Sequence, residues 1–167
     1  MNTSSIQAGF RYDWEIIGKD GVVTDAWTDH NIMPAQGLDY MLNCSFRGSG
    51  QETSWYIAVF SGDYTPRAGL TAADFSATAG EAIGYVSGTR PAFTPSASAG
   101  GAIDNAASRA EFVSTTDVTL YGGAILSANT KASTAGVVAS VVRFGSPKSF
   151  PIGSTLRVTA GLAFFSY

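Results

Sequence analysis

Ser54-Trp55-Tyr56-Ile57-Ala58-Val59-Phe60-Ser61-Gly62-Asp63-Tyr64-Thr65-Pro66 is the stretch on which the reading of this chain turns. Trp55 to Phe60 is an unbroken aromatic and β-branched run, closed by Ser61, Gly62 and Asp63. A run that short, apolar at successive positions, reads as a central strand covered on both faces. Its approach (Arg47 to Thr53) is rich in Gly and Ser, and a long exit, Asp63 to Glu81, follows it. The remaining strands must pack around it.

Working back toward the N-terminus, Phe10, Tyr12, Trp14 and Ile16 alternate with Arg11, Asp13 and Glu15, the pattern of a half-buried strand. Gly18-Lys19-Asp20-Gly21 then separates this run from Val22 to Thr28, and Asp-Gly between two such runs predicts a hairpin. On the return strand Val23 and Trp27 share a face. Pro34 opens a helix over 34–46, with Asn31 or the next residues as cap and Leu38, Met41, Leu42 and Phe46 at helical spacing. Cys44 falls on that helix and reads as a buried, inert thiol.

Beyond the central run, Tyr64 to Gly88 reads as an excursion over the surface, with a helical turn near Leu70 to Phe75 and a short strand at Ala82 to Val86. Arg90 to Thr94, hemmed in by Pro91 and Pro95, reads as an edge strand, and Ser96 to Gly101 as a flexible loop. Ser108 to Ser114 is a strand with Ala110 and Phe112 inward. Thr119 to Ser127 is another, its Gly122-Gly123 pair marking a bulge or a close backbone approach. Gly136 to Phe144 and Thr155 to Phe165 complete the set, joined by a loop at Gly145-Ser146-Pro147-Lys148. Eight to ten strands, one helix and no internal repeat predict one all-β domain over 1–167. Its expected form is an antiparallel β-sandwich, jelly-roll-like, with a flexible N-terminal arm at about 1–7.

The chain has 167 residues, enough to fold without a disulfide or metal. Charged residues make up only 14%, so the surface must be largely Ser, Thr, Gly and Ala, which suits a protein packed against neighbours. A net charge of −3 with no basic block leaves no footprint for nucleic acid. One cysteine fits synthesis in a reducing compartment, Met1 to Ala8 lacks the character of a secretory signal, and no apolar run approaches a membrane span.

No constellation carries chemistry. His30 is the single histidine; with Asp25 and Asp29 it lacks the further ligands of a tetrahedral metal site. A Ser–His–Asp triad would need His30 as base, and no Gly-x-Ser-x-Gly elbow is present. Asp13 and Glu15 share a strand face with Arg11 and Ile17, the surface of an exposed strand rather than a cleft between catalytic carboxylates. There is no calcium loop, and Gly100-Gly101 and Gly122-Gly123 do not precede helices, so they make no phosphate cradle. Trp14 and Trp55 sit in apolar patterns and read as core, not as a sugar platform. Arg90, Arg109 and Arg143 stand among small or apolar residues, where an arginine tends to pair with a carboxylate or with a neighbour's backbone. No cofactor is expected.

The order of features resembles that of the small virion structural proteins of tailed bacteriophages with lambda-like or related heads. Asn31 with Pro34, Gly37 to Leu42, Trp55 to Pro66, Thr89-Arg90-Pro91, Asn105 to Phe112, Tyr121 to Ala124 and Arg143-Phe144-Gly145 carry it, over most of the chain. The resemblance implies a non-enzymatic capsid cement (decoration) protein, made in the host cytoplasm and placed on the outer capsid surface. Its partners would be the major capsid protein and copies of itself as a dimer or trimer, with no nucleic acid and no membrane. The alternative is a tail-associated adaptor or receptor-binding module, whose partners would be tail proteins or a host-surface glycan; a hydrolase resting on His30 is a further rival. Contacts are expected from the arm at 1–7, the Tyr64 to Gly80 excursion and the Ser96 to Gly101 loop. The residues named for them are Asn2, Thr3, Ser4, Ser5, Tyr64, Pro66, Arg67 and Arg90.

Overall fold

The structure, a computed structural model, describes residues 6–166. Among these residues nine strands form two antiparallel sheets: β1 (Ile6–Ile17), β2 (Val23–His30), β3 (Trp55–Phe60), β4 (Ala92–Phe93), β5 (Ala102–Asp104), β6 (Ala110–Val113), β7 (Val118–Leu126), β8 (Val138–Phe150) and β9 (Thr155–Ser166). The first sheet runs β2-β1-β9-β5, with β6 pairing the other end of β9; the second runs β4-β3-β7-β8. The antiparallel sandwich is as the sequence predicts. Successive strands β1–β2, β3–β4, β5–β6 and β7–β8 each stay within one sheet, and the chain crosses between the sheets after each pair.

The alternation in β1 has its predicted consequence. Phe10, Tyr12, Trp14 and Ile16 are buried between the sheets, while Arg11 is exposed and Asp13 and Glu15 are half-exposed on the other face. Tyr12 stacks on Trp14 at 5.4 Å and Trp14 on Trp27 at 6.2 Å, and the Phe144 ring meets both tryptophans edge-on at 4.9 and 5.0 Å. Gly123 lies under this stack: a Cβ there would come within 2.5 Å of the Trp14 ring, and one at Gly122 would collide with the Val142 carbonyl oxygen. The glycine pair is thus both a close approach and, at the register break between Leu120 and Gly122, a bulge.

The central run is β3, and both its faces are covered. Ile57 and Val59 enter the core between the sheets; Ala58 and Phe60 enter a second cluster with Leu70, Ala72, Phe75 and Ala79. The second cluster is roofed by the excursion, which holds α2 (Ala72–Phe75), capped by the Thr71 hydroxyl accepting from the Asp74 N–H, and one π-turn at Ser76–Gly80. The segment expected to wait for a partner is therefore a packed cover of the second sheet.

Helix α1 (Ala35–Phe46) lies against β8 through Gly37, whose missing Cβ leaves room for the backbone at Val138 and Ala139; a Cβ would sit 2.7 Å from the Ala139 oxygen. Pro34 is the N-cap, with no side-chain capping bond. Asn31 does not cap it. Instead its Oδ1 accepts from the Phe10 N–H at 2.7 Å and its Nδ2 donates to Ser140 Oγ, which also receives the Tyr12 hydroxyl proton at 2.7 Å. The stripe Leu38, Leu42, Phe46 is exposed, contrary to what helical spacing alone implies.

Three further segments differ from the sequence reading. Ala82 to Val86 makes one isolated bridge, Tyr85 to Ser114, with a second just before it from Glu81 to Phe60, because a tight turn carries the Tyr85 N–H to the Ile83 carbonyl. Gly145 to Lys148 is not the final loop. β8 runs through it, its turn-forming residues taken up in the register break between Gly122↔Arg143 and Leu120↔Lys148, and the chain reverses at 151–154. Pro147 is tolerated because β8 is an edge. The three-residue β5 gave no sequence signal. Between β5 and β6 the fully buried Asn105 completes the ladder by side chain, its Oδ1 accepting from the Ala160 N–H at 2.7 Å and its Nδ2 donating to the Val158 oxygen at 3.3 Å.

Candidate docking surface

The two sheets differ in what lies over their outer faces. The second sheet carries α1 and the excursion. On the first, every outward residue from Gly9 to Ile17 on β1 and from Thr155 to Ala163 on β9 is exposed or half-exposed. The registers lay these residues out in rows crossing the strands. Ala102, Ala163 and Gly9 form the first, and Asp104, Gly161, Arg11 and His30 the second. Thr159, Asp13 and Thr28 follow, then Glu111, Arg157, Glu15 and Ala26. Val113, Thr155, Ile17 and Val23 make the last, which is apolar but for one threonine; the register shift between Ile16 and Ile17 puts Val23 on the face opposite Trp27, not beside it as its spacing predicts.

The small residues at one end leave an open groove of about 630 Å³, floored by Gly9, Gly161 and Ala163 and rimmed by Arg11, Asp13 and Asp104. Most of the charge in these rows is ion-paired, Asp104 excepted. Arg11 donates to Asp13 at 2.9 Å, Arg157 to Glu111 at 2.8 Å and Arg109 to Glu15 at 3.4 Å. Pairs this exposed add little to stability. They do leave a face of low net field, ending in a valine and isoleucine edge that Val86 extends, its N–H donating to the Val113 carbonyl. Arrangement and chemistry suit a flat protein surface. The rows from Gly9 to Val23 hold no Phe, Tyr or Trp ring on which a sugar would stack.

Along the seam where β2 meets β8, the Asp29 carboxylate accepts the Gly145 N–H at 3.2 Å, and Lys148 pairs with Asp25 at 2.9 Å with its ammonium over the Trp27 ring. Burial raises the Asp29 carboxyl above the usual carboxylate range, opposed by the Gly145 N–H, by Trp27 and by the charge of Lys148. Because its folded pKa lies above its unfolded one, protonation favours the fold: this contribution is present at acid pH and lost as pH rises through the folded pKa. Comparing urea denaturation of the wild type and Asp29→Asn across pH 3 to 7 should show the wild type losing ground relative to the variant as pH rises. A constant gap between the two would refute it.

The contact residues named from sequence are not brought together. Asn2, Thr3, Ser4 and Ser5 lie outside the described residues; Ile6 and Gln7, counted with the arm, are paired in β1 by their backbone. Tyr64 is half-buried on the edge of Phe60 and its carbonyl accepts from Arg143 at 2.7 Å; Pro66 is buried; Arg67 is exposed. All three belong to the cover of the second sheet. Arg90 is 1% exposed and paired with Glu81, so it offers nothing to a partner in the folded chain. The Ser96 to Gly101 loop is exposed, at the β5 edge of the first sheet. Sequence reasoning misses the outward rows because their members come from five strands. The local signal, polar residues at alternate positions of β1, identifies only a strand surface.

His30 is exposed at the end of β2, opposite Arg11. Among the described residues no three His, Cys, Asp or Glu side chains are placed to hold a metal ion, and no helix is long and apolar enough to cross a membrane. In comparison with known proteins, no family model matches the chain, and no curated protein matches it significantly.

Proposed function

We propose that this chain is a structural component of a bacteriophage particle, a capsid cement protein that seats the open face of its first sheet on the outer capsid surface. One observation carries the reading: the outer face of the second sheet is covered by the chain's own excursion, with α1 against β8, whereas that of the first is left open, largely ion-paired and apolar along one edge. That the assembly is a phage particle rests on the resemblance, over most of the chain, of the order of its sequence features to that of phage virion proteins. Cement of this kind acts by adding buried area across the boundaries between capsid subunits, many modest contacts summing through avidity. The tail-adaptor reading shares the same face; the glycan-binding one has no aromatic platform on these rows to support it.

Lysine at Ile17 and Val113 places two unpaired charges in the apolar row without touching the core, because both side chains are outward. The double variant should keep the wild-type stability within about 0.5 kcal/mol and lose at least roughly tenfold in co-sedimentation with expanded heads, since buried unpaired charge is costly. Undiminished binding would remove this face from the reading. Immunogold labelling of the particles locates the protein independently: gold over the heads supports cement, and gold confined to a vertex or tail replaces it by the adaptor role.

A further inference from the structure

The chain closes its sheet edges as unequally as its sheet faces. On β8, Ile32 exchanges two backbone hydrogen bonds with Val141, and the Asp29 carboxylate takes the Gly145 N–H farther along. Beside β5, the Ser96 N–H donates to the Asp104 carbonyl and Ala99 bridges Ala102; beside β6, the Val86 N–H donates to the Val113 carbonyl and Tyr85 bridges Ser114. β4 is only two residues long, between Pro91 and Pro95. β2 is the exception: it ends the first sheet and, among the described residues, pairs with β1 alone.

The ladder shows which backbone groups of β2 are free. The Asn31 N–H donates to the Phe10 carbonyl at 3.1 Å, so Phe10 and Asn31 are a hydrogen-bonded pair. Such pairs alternate along an antiparallel ladder, which gives Tyr12 with Asp29, Trp14 with Trp27 and Ile16 with Asp25. The N–H and C=O groups of Ala26, Thr28 and His30 therefore point away from the sheet, and all three residues are exposed. No proline or lysine interrupts β2, and its register shift lies before Asp25. Its inward carboxylates, Asp25 and Asp29, are already held at the seam by Lys148 and by the Gly145 N–H.

A second copy of β2, laid antiparallel on this edge, matches these groups. Outward residues must meet outward residues, so the two-fold axis falls on a residue. Centred on Thr28, it pairs Thr28 with itself and Ala26 with His30, and it uses every free N–H and C=O group of Ala26, Thr28 and His30 in both copies. Asp25 then faces Asn31 of the other copy and Asp29 faces Trp27, so no like charges are opposed. Centred on Trp27 it would set Asp25 against Asp29, and centred on Asp29 it would set that carboxylate against itself. Centred on Ala26 it would need Thr24, which the register shift leaves unpaired. Each copy offers one such edge, so pairing stops at two copies. We propose that β2 is a homodimer edge, paired antiparallel with its own copy about Thr28, which joins the two first sheets into one. The two open faces then look the same way, and the proposal does not depend on the particle role.

A contact along one short strand is smaller than a standard interface, so the dimer should be weak, with a dissociation constant of roughly 10–100 µM. Sedimentation equilibrium of the full chain should show a monomer–dimer equilibrium in that range. Thr28→Pro removes an outward N–H and leaves the ladder to β1 intact, so it should keep the wild-type circular-dichroism spectrum and weaken the dimer at least roughly tenfold. In a Cys44→Ser background, Thr28→Cys should oxidise to a disulfide-linked dimer, because the Cα atoms of a hydrogen-bonded pair stand about 5.5 Å apart. Amide hydrogen exchange needs no variant. The N–H groups of Ala26, Thr28 and His30 should gain protection as concentration rises, while those of Asp25, Trp27 and Asp29 are protected throughout. A wild-type chain still monomeric at about 1 mM overturns the proposal. So does a dimer in which those three amides exchange freely, or a folded Thr28→Pro variant that dimerises like the wild type.

Discussion

Arg90→Met is expected to destabilise the protein by about 3–5 kcal/mol, the cost of leaving one charge of a buried pair without its partner. The Arg90 guanidinium grips Glu81 with two bonds, Nε to Oε1 at 2.8 Å and Nη2 to Oε2 at 2.7 Å, and its Nη1 donates to the Ala128 carbonyl. Glu81 Oε2 accepts in addition from the Ser76 hydroxyl at 2.8 Å and the Ala132 N–H at 3.0 Å. Both side chains are sealed from solvent. The pair therefore ties together the π-turn, the chain from Glu81 to Arg90 and the loop at 128–132. Losing Arg90 strands a carboxylate with only two neutral donors. Replacing both partners, Glu81→Leu with Arg90→Met, should recover most of the loss, because two charges no longer need to be taken out of water. Urea denaturation of the wild type and the two variants checks this; a double variant as unstable as Arg90→Met alone would mean that hydrogen bonding, not charge burial, governs the site.

Trp14→Ala should cost about 3–5 kcal/mol, at the upper end for a core truncation. The ring is 1% exposed, stacked between Tyr12 and Trp27 and closed by the edge of Phe144, so its removal opens a cavity at the centre of the first sheet that three rigid rings cannot collapse to fill. The opposing backbone has as little freedom as the ring. Gly123→Ala should cost about 1–3 kcal/mol by overpacking against Trp14, and distinctly less in a Trp14→Leu background, where the clash at 2.5 Å is gone. Additive losses in that double-mutant cycle would show that the contact is not the cause.

Patterns confined to one strand or one turn are legible in the sequence. The β1 alternation, the Asp20-Gly21 hairpin, the two-faced burial of β3 and the close approach at Gly122-Gly123 each depend on residues within a few positions of one another, and each holds in the folded chain. The features that differ depend on neighbours distant in sequence. Asn31 has the local setting of a helix cap and is instead the link between Phe10 and Ser140; its polar group has a better partner 109 residues away. Gly145 to Lys148 has the composition of a loop, but an edge strand with a register break can absorb it. Arg90 is read from sequence both as pairing with a carboxylate and as a surface contact; it pairs, but no local pattern shows that the partner is Glu81, nine positions earlier and buried with it.

That the chain folds as an antiparallel sandwich with a short helix follows from side-chain periodicity, a local property that dictates which face of each strand seeks the core. Which outer faces stay open follows from contacts between distant segments. Whether the rows of the first sheet line up, whether the excursion roofs the second, and whether the apolar stripe of α1 turns inward or outward all depend on register and on packing between distant segments. Helical spacing requires only that Leu38, Leu42 and Phe46 share a side; the contact of Gly37 with the β8 backbone turns that side to solvent.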